Sequence, residues 1–387
     1  MAGEQNIPEA KKELRFFISS GEQSGEAYGA DLIEELRKQV PDKLLHFRGL
    51  GGSSMEKSRV KLLYHTNELS TIGFLDVVKK INFFRKVLKD SLNCVREIKP
   101  DCVVLIDYPG FNLKFAEKLR EFYKGKIIYY ISPQLWAWHE KRVNIIKKYI
   151  DKVIVVFPFE KDFYQKYNID AVYAGHPLIK RIGKFLDENE KKRKIFGDEK
   201  IVTFLPGSRK DEINHHLPVL LDVAEQLSRE FDMTINISRS AGVDKNIFKK
   251  FGARLGKFNL SDENVYSLML NSDLVLTKAG TSTVECALIG VPFAIFYRTF
   301  PLNYYLLKPI VKVDKLGMVN ILAKKNIIKE FVQKDFNPQN LLLEARKILT
   351  EINYRNKIIG ELKEIRDILG SQDASSNAAK IILEEVL

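Results

Sequence analysis

Short runs that are apolar at nearly every position recur along this chain, and between them the apolar residues fall at helical spacing. The clearest runs are RFFIS (15–19), CVVLI (102–106), KIIYYI (126–131), KVIVVF (152–157), KIVTFL (200–205), MTINIS (233–238), DLVLT (273–277) and PFAIFY (292–297). A strand with no polar alternation has no solvent face; it is covered on both sides, as in parallel sheets sandwiched by helices. The intervening EAYGADLIEELRKQV places Tyr28, Leu32, Ile33 and Leu36 on one helical face, and HHLPVLLDVAEQLSREF does the same with Leu217, Leu220, Leu221, Val223 and Leu227. Alternation of this kind predicts an open α/β architecture with right-handed crossovers.

At 387 residues the chain exceeds one ordinary core and suits two domains. RFFISSGEQSGE and IVTFLPGSRKDE are each a strand, a small-residue turn and a helix start, and each reads as the first βα unit of a nucleotide-binding half. The charged stretch GKFLDENEKKRKIFGDEK (183–200) lies between them, so the boundary is expected near 178–185. The expected division is a first domain over 1–180 and a second over 181–353, with the helical tail 354–387 packing back on the first.

Three cysteines, two in apolar segments, fit a reducing compartment without a disulfide framework. The amino terminus has no apolar signal-like core, and no apolar run approaches the length that crosses a bilayer. Lys and Arg outnumber Asp and Glu by 62 to 50, a net charge of +12, which favours anionic partners or simply a solvated basic surface. Nucleic-acid motifs are absent, so no nucleic-acid partner is expected.

Two turns of the second half have the chemistry of anion binding. In LPGSRKDE (205–212), Gly207 permits close backbone approach, Ser208 offers a hydroxyl and Arg209 a two-pronged cation, all at a helix start. In LTKAGTSTVECALIGVP (276–292), Gly280 precedes the hydroxyls of Thr281, Ser282 and Thr283, and Glu285 follows where ribose hydroxyls would lie. Capping accounts for one of those hydroxyls; two such turns together point to a diphosphate nucleotide at the carboxyl ends of the strands. Neither Gly-x-Gly-x-x-Gly nor a Walker loop is present. In the first half, Ser24 and Gly25 sit in a glycine- and hydroxyl-rich helix start with Glu22 and Glu26 nearby, suited to a sugar hydroxyl or a single phosphate, or to capping alone.

Asp107 ends the apolar run CVVLI and is followed by Tyr-Pro-Gly. At the carboxyl end of a parallel strand a carboxylate faces the ligand crevice, and partial desolvation raises its pKa toward that of a general base; a turn acid is the plainer reading. The loop after the next strand, YYISPQLWAWHEKR, carries Ser132, Trp136 and Trp138, polar groups beside aromatic faces that suit a sugar or an amphipathic substrate. His176 is expected to be structural. No Asp-x-Asp and no His/Cys ligand spacing occur, so no metal is expected. FLDVVKKINFFRKVLKDSL (74–92) and YRTFPLNYYLLKPIVKV (297–313) are basic and amphipathic, either lipid-facing or core helices with solvated lysines.

In order, GEQSGEAYGADLI, GFLDV, LIDYPGFN, YYISPQLWAWHEKRV, FPFEKDFYQKYN, AGHPL, LPGSRKDEI, GTSTVECAL and MVNILA resemble the lipid A disaccharide synthase family over nearly the whole chain. The resemblance implies a GT-B-type glycosyltransferase, two Rossmann-like domains facing across a cleft, with no metal or other cofactor. It implies inverting transfer from UDP-2,3-diacylglucosamine to 2,3-diacylglucosamine 1-phosphate, giving a β-1,6-linked disaccharide 1-phosphate and UDP. On the matching positions, Asp107 becomes the essential aspartate and general base, Arg209 the donor-phosphate arginine, Asn320 a catalytic and UDP-site residue, and Glu285 the ribose contact. Ser24, Gly25, Ser132 and Trp136 fall on the acceptor and lipid side. The chain departs from the family at Gly110, where a second aspartate is common, and at Glu26 and Ile321; the first departure implies that Asp107 works without an adjacent acid. A cytoplasmic protein peripherally bound to the inner membrane, and a homodimer, are further expectations. A UDP-N-acetylglucosamine 2-epimerase of the same fold is the alternative.

Overall fold

The computed structural model describes residues 13–69, 81–189, 199–240, 243–300, 304, 308 and 311–387. It divides into two compact units, one running to Pro177 and including Gln372–Leu387, the other Leu178–Ser371.

The first unit holds β1 (Glu13–Ser20), β2 (Leu44–Gly51), β3 (Val60–His65), β4 (Cys102–Ile106), β5 (Lys126–Tyr130), β6 (Lys152–Val155) and β7 (Ala171–Tyr173). They form one sheet in the order β3-β2-β1-β4-β5-β6-β7 with every neighbouring pair parallel. The second unit holds β8 (Lys200–Leu205), β9 (Met233–Ser238), β10 (Asn259–Ser261), β11 (Leu274–Lys278), β12 (Phe293–Tyr297) and β13 (Glu330–Val332). Their order is β10-β9-β8-β11-β12-β13, again parallel throughout. The α/β, doubly wound class read from the apolar runs is the one observed. Both sheets reverse their winding once, between β1 and β4 and between β8 and β11, and a ligand crevice lies outside the carboxyl ends of the strands at such a switch.

The apolar runs became strands because every residue of CVVLI is buried, as are the last four of KIVTFL. β2, β3, β7, β10 and β13 escape the pattern. LLHFRGLG alternates with His46 and Arg48, and β7, β10 and β13 are three-residue outer strands with little surface to bury.

Register is set at the amino ends by aspartates. Asp101 donates its N–H to Arg15 O at 2.8 Å and accepts the Arg15 N–H at 2.9 Å, tying β4 to β1. Asp273 repeats this on Ile201, with bonds of 2.7 and 2.8 Å, tying β11 to β8. Asp151 repeats it on Ile127, tying β6 to β5. Each carboxylate supplies an acceptor to an N–H near the start of the neighbouring strand, and fixes the pairing from its amino end.

The tail divides differently from expectation. The helix Ala374–Val386 belongs to the first unit and packs on the helix Gln23–Gln39 and on β5, with Ala378, Ala379 and Ile382 buried. The helix Ile352–Leu369 instead stays in the second unit against the helices Thr281–Ile289 and Pro338–Thr350. Its buried stripe of Ile358, Leu362, Ile365 and Leu369 has the right spacing for a groove, but spacing does not say which groove. The stretch 178–185, expected as linker, is helical within Pro177–Asn189.

Asp273→Ala leaves the Ile201 N–H and the buried Arg355 guanidinium, 3.9 Å from the Asp273 carboxylate, short of an acceptor. We expect a loss of about 2–3 kcal/mol, read as a lower urea midpoint, and a distinctly smaller loss for Asp273→Asn, which keeps an acceptor oxygen.

Candidate functional site

Pairing of Ser20 with Ile106 and of Ile106 with Tyr130 brings the ends of β1, β4 and β5 side by side at the first switch. Asp107 sits there with φ +47°, followed by Tyr108 at +52°, and Ile131 across the edge is at +57°. For non-glycine residues, and above all for a β-branched one, this left-handed backbone is strained and persists only where its surroundings over-determine it. The restraints are plain. Asp107 N–H donates to Ile131 O at 3.2 Å, and Asp107 O accepts from Tyr129 OH and from Asn112 Nδ2, both at 2.7 Å. Asn112 also accepts from Ser19 Oγ at 2.6 Å, so this fully buried amide brackets the ends of β1 and β4.

The backbone of Asp107 is thus consumed by the protein while its half-buried carboxylate carries the titrating charge. Burial, and then the negative charge of Glu22, push that carboxyl up to about 7, against a small opposing pull from the Tyr108 N–H. Gly110, where a family aspartate is missing, is exposed, and a Cβ there would meet nothing. The expectation that Asp107 lacks an acidic neighbour therefore needs correcting: the fold supplies Glu22 from the adjoining β1 turn. Gly21 allows this closeness, since a Cβ there would lie 2.4 Å from the Tyr108 ring.

The other first-unit candidates divide. Ser24 is half-buried on the same edge, and Gly25 is required because a Cβ would lie 2.5 Å from Ser20 Oγ. Glu26 is engaged elsewhere, accepting from Thr66 Oγ1 at 2.7 Å, and ties the segment just after β3 to the first helix. Ser132 is buried beside Tyr164. Trp136 is an anchored ring: its indole N–H donates to Glu160 at 3.0 Å and its edge meets Phe159 at 4.9 Å. Glu160 itself was not singled out from the sequence. It is buried, accepts the backbone N–H groups of Val156 and Phe157, and is pushed up to about 7 by burial with the charge of Asp107 adding. His176 is buried against Phe157 and held down to about 3 by burial alone, a neutral packing residue as expected.

In the second unit, Leu205 pairs with Thr277, so the turns after β8 and β11 flank the second switch. Gly207 adopts φ +129°, and Ser208 and Arg209 are exposed at the start of the helix Lys210–Glu230. The three hydroxyls after β11 are not equivalent. Thr283 Oγ1 donates to Gly280 O at 2.8 Å and Ser282 Oγ bonds Thr277 Oγ1 at 2.6 Å, so both serve the turn itself. Thr281 and Gly280 are exposed. Glu285 accepts from Tyr266 OH at 3.2 Å, and burial pushes its carboxyl up against the pull of that bond and of the Arg181 charge. Tyr266, Arg181, Lys278 and Glu212 belong to this neighbourhood and were missed; nothing in their spacing marks them.

Asn320 corrects its expectation. It is fully buried, and its amide donates to Ile328 O and Glu330 Oε1 and accepts the N–H groups of Ile327 and Ile328, all within 3.0 Å. A side-chain amide has two donors and one two-fold acceptor; all are spent on bracing the helix Met318–Leu322 to β13, leaving none for a ligand.

The model of the Lipid-A-disaccharide synthetase family matches residues 16–386. The chain belongs to that family. Lipid-A-disaccharide synthase 1 of Legionella pneumophila is 32% identical over 377 residues, covering 96% of this chain and 97% of the relative. The lipid-A-disaccharide synthase of Geobacter sulfurreducens is 32% identical over 374 residues with the same coverage, and that of Coxiella burnetii 31% over 368, covering 94% and 96%. Family membership makes the chain a disaccharide-forming glycosyltransferase.

Among solved structures, UDP-GlcNAc 2-epimerase from Neisseria meningitidis bound to UDP-GlcNAc superposes with TM-score 0.63 at 14% identity, covering 96% of this chain and 98% of its own. A glycosyltransferase from Rickettsia africae gives 0.53 at 12%, covering 97% and 98%. These neighbours share the GT-B fold class and nothing narrower, so the epimerase alternative is not favoured for a member of the synthase family.

Asp107 makes a prediction on stability. Its folded pKa, about 7, lies above the unfolded value of roughly 3.9. The folded state therefore holds the extra proton between these limits, stability falls as pH rises through that window, and the loss is complete above about 7. In Asp107→Asn the gain in Tm over the parent should grow from pH 4 to pH 7 and then level off; a gain independent of pH would contradict the raised pKa.

Proposed function

We propose that this chain joins UDP-2,3-diacylglucosamine to 2,3-diacylglucosamine 1-phosphate. Asp107 removes the proton from the acceptor 6-hydroxyl as its oxygen attacks the donor anomeric carbon from the face opposite the diphosphate. The new C–O bond forms as the bond from the anomeric carbon to the diphosphate oxygen breaks. UDP departs with the electron pair, and the configuration inverts. One observation supports the base most directly: a carboxylate locked by its own backbone at the switch of the first sheet, with its pKa raised to about 7. Such a group is roughly half ionised at neutral pH and basic enough in that form to accept a proton in the transition state.

The reading assigns the donor to the second unit. Gly207, Ser208 and Arg209 on one turn and Gly280 and Thr281 on the other face the diphosphate, while Ser282 and Thr283 shape the turn that presents Thr281. Arg209 offsets the charge that grows on the leaving UDP. Glu285 meets the ribose, and Asn320 acts at one remove, through the brace on Met318–Leu322. Ser24, Gly25, Ser132 and Trp136 form the acceptor edge of the first unit. The mechanism uses no metal or other cofactor, because base and charge compensation both come from side chains.

A peripheral position on the cytoplasmic face of the inner membrane accompanies this function. No helix among the described residues is long and apolar enough to cross a membrane. Ile81, Phe300, Val311 and Leu316 are exposed apolar side chains in stretches whose sequence is basic. Phe83 and Phe84 are half-buried against the first unit's core, so they contribute less than Ile81; residues 73–80 and Tyr305 lie outside the described residues.

The experiment is UDP release from UDP-diacylglucosamine. It should require the diacylglucosamine 1-phosphate acceptor, whereas an epimerase would convert UDP-N-acetylglucosamine without an acceptor. Asp107→Ala should lower kcat by about 100-fold or more, and kcat/KM should fall about tenfold per pH unit below about pH 7. Near-normal turnover by a folded Asp107→Ala protein rules out the base. Arg209→Ala should act on donor use, and an unchanged donor response counts against its phosphate contact. Replacing Ile81 and Phe300 by Ser should weaken binding to vesicles containing anionic lipid.

A further inference from the structure

Lys278 is the last residue of β11, and the sequence pattern gives it no role. Its Nζ donates to Glu212 Oε1 at 3.1 Å, with the lysine side chain 22% and the glutamate 13% exposed. Glu212 Oε2 accepts the Ser208 N–H at 2.9 Å, and Arg209 Nη1 lies 3.8 Å from Oε1. The ammonium also rests against the second turn: a Cβ on Gly280 would stand 3.2 Å from Nζ. One ion pair therefore spans the two turns that flank the switch of this sheet.

A glutamate in the first turn of a helix that takes a preceding backbone N–H is ordinary capping, and that accounts for the bond to Ser208. It does not account for a lysine brought in from a different strand. Nor does it account for the glutamate's charge state. Burial alone would raise the carboxyl, yet Lys278, the Ser208 N–H and Arg209 outweigh it and hold the pKa below the ordinary value. With Glu212 ionised, Arg209 and Glu212 cancel, and within this cluster Lys278 supplies the net positive charge. An ammonium has three donors, and Glu212 uses one.

We propose that Lys278 is a diphosphate-binding residue of this site and that Glu212 positions it. The inference rests on the reading that the second unit holds a nucleoside diphosphate, and it adds the cation that completes the charge balance. Lys278 contacts the ligand; Glu212 acts through Lys278 and the Ser208 turn.

The test is the affinity of the full chain for UDP, by calorimetry at fixed salt, alongside its affinity for uridine by ligand-observed NMR. Lys278→Met should weaken UDP about 10- to 100-fold and leave uridine unchanged, because only the phosphates meet the ammonium. Lys278→Arg should recover part of the loss. Glu212→Gln should weaken UDP by a smaller factor, about 3- to 10-fold, again sparing uridine. Unchanged UDP affinity in Lys278→Met, or equal losses for UDP and uridine, overturns the contact. Tighter UDP binding in Glu212→Gln would make Glu212 a competitor for the phosphate and overturn its positioning role. Should Lys278→Met fail to fold, Lys278→Gln replaces it under the same criteria. If the unaltered protein binds no UDP, the donor site itself is wrong, which is a different outcome from a variant that binds as well as its parent.

Discussion

The parallel pairing of β1 with β4 and of β8 with β11 is the constraint from which the chemistry follows. Asp101 and Asp273 fix those pairs at their amino ends by taking the N–H groups of Arg15 and Ile201. Strand length then determines what stands at the other end. Five residues after Cys102 the chain reaches the carboxyl edge with Asp107, and β11 reaches its own edge with Lys278. A one-residue slip of either pair would turn these side chains to the opposite face, so the site depends on register more than on any contact within it.

The edge of the first sheet sets stability against use. Left-handed backbone at Asp107, Tyr108 and Ile131 and a carboxyl kept partly from water all favour unfolding. Asn112, Tyr129 and the Ile131 carbonyl offset the strain by satisfying the backbone of Asp107 completely, which leaves its carboxylate as the group that answers to pH. The anion site proposed for the second unit is built on the opposite principle. There the charges are many, paired and mostly near the surface, and the half-buried Glu212 keeps its charge because Lys278 and Arg209 stand beside it.

Much of this was legible in advance. An unbroken apolar run such as CVVLI admits few structures other than a covered parallel strand, and the aspartate that ends it is placed by the strand itself. The turns after β8 and β11 were legible for the same reason, since glycine and hydroxyl residues at a strand-to-helix junction have a restricted set of uses. The reading failed where a residue's partner comes from a distant segment. Asn320 looked like a ligand because amides bind ligands, but its four bonds go to residues 327–330. Ser282 and Thr283 looked like a phosphate cradle until Thr277 and Gly280 claimed their hydroxyls. The helix Ile352–Leu369 has an apolar stripe whose spacing says that it docks but not where.

The sequence by itself determined the layered α/β architecture, the positions of the carboxyl-edge turns and the family, because hydrophobic period and local turn chemistry are properties of neighbouring residues. Only the tertiary structure decided which polar and charged groups meet: Glu22 beside Asp107, Glu160 on the Trp136 indole N–H, and Lys278 on Glu212. Each of those encounters joins segments that strand order, not sequence distance, brings together. Electrostatic energies fall with separation in space, and so the pKa values and the charge balance of the site were fixed only when the sheets formed.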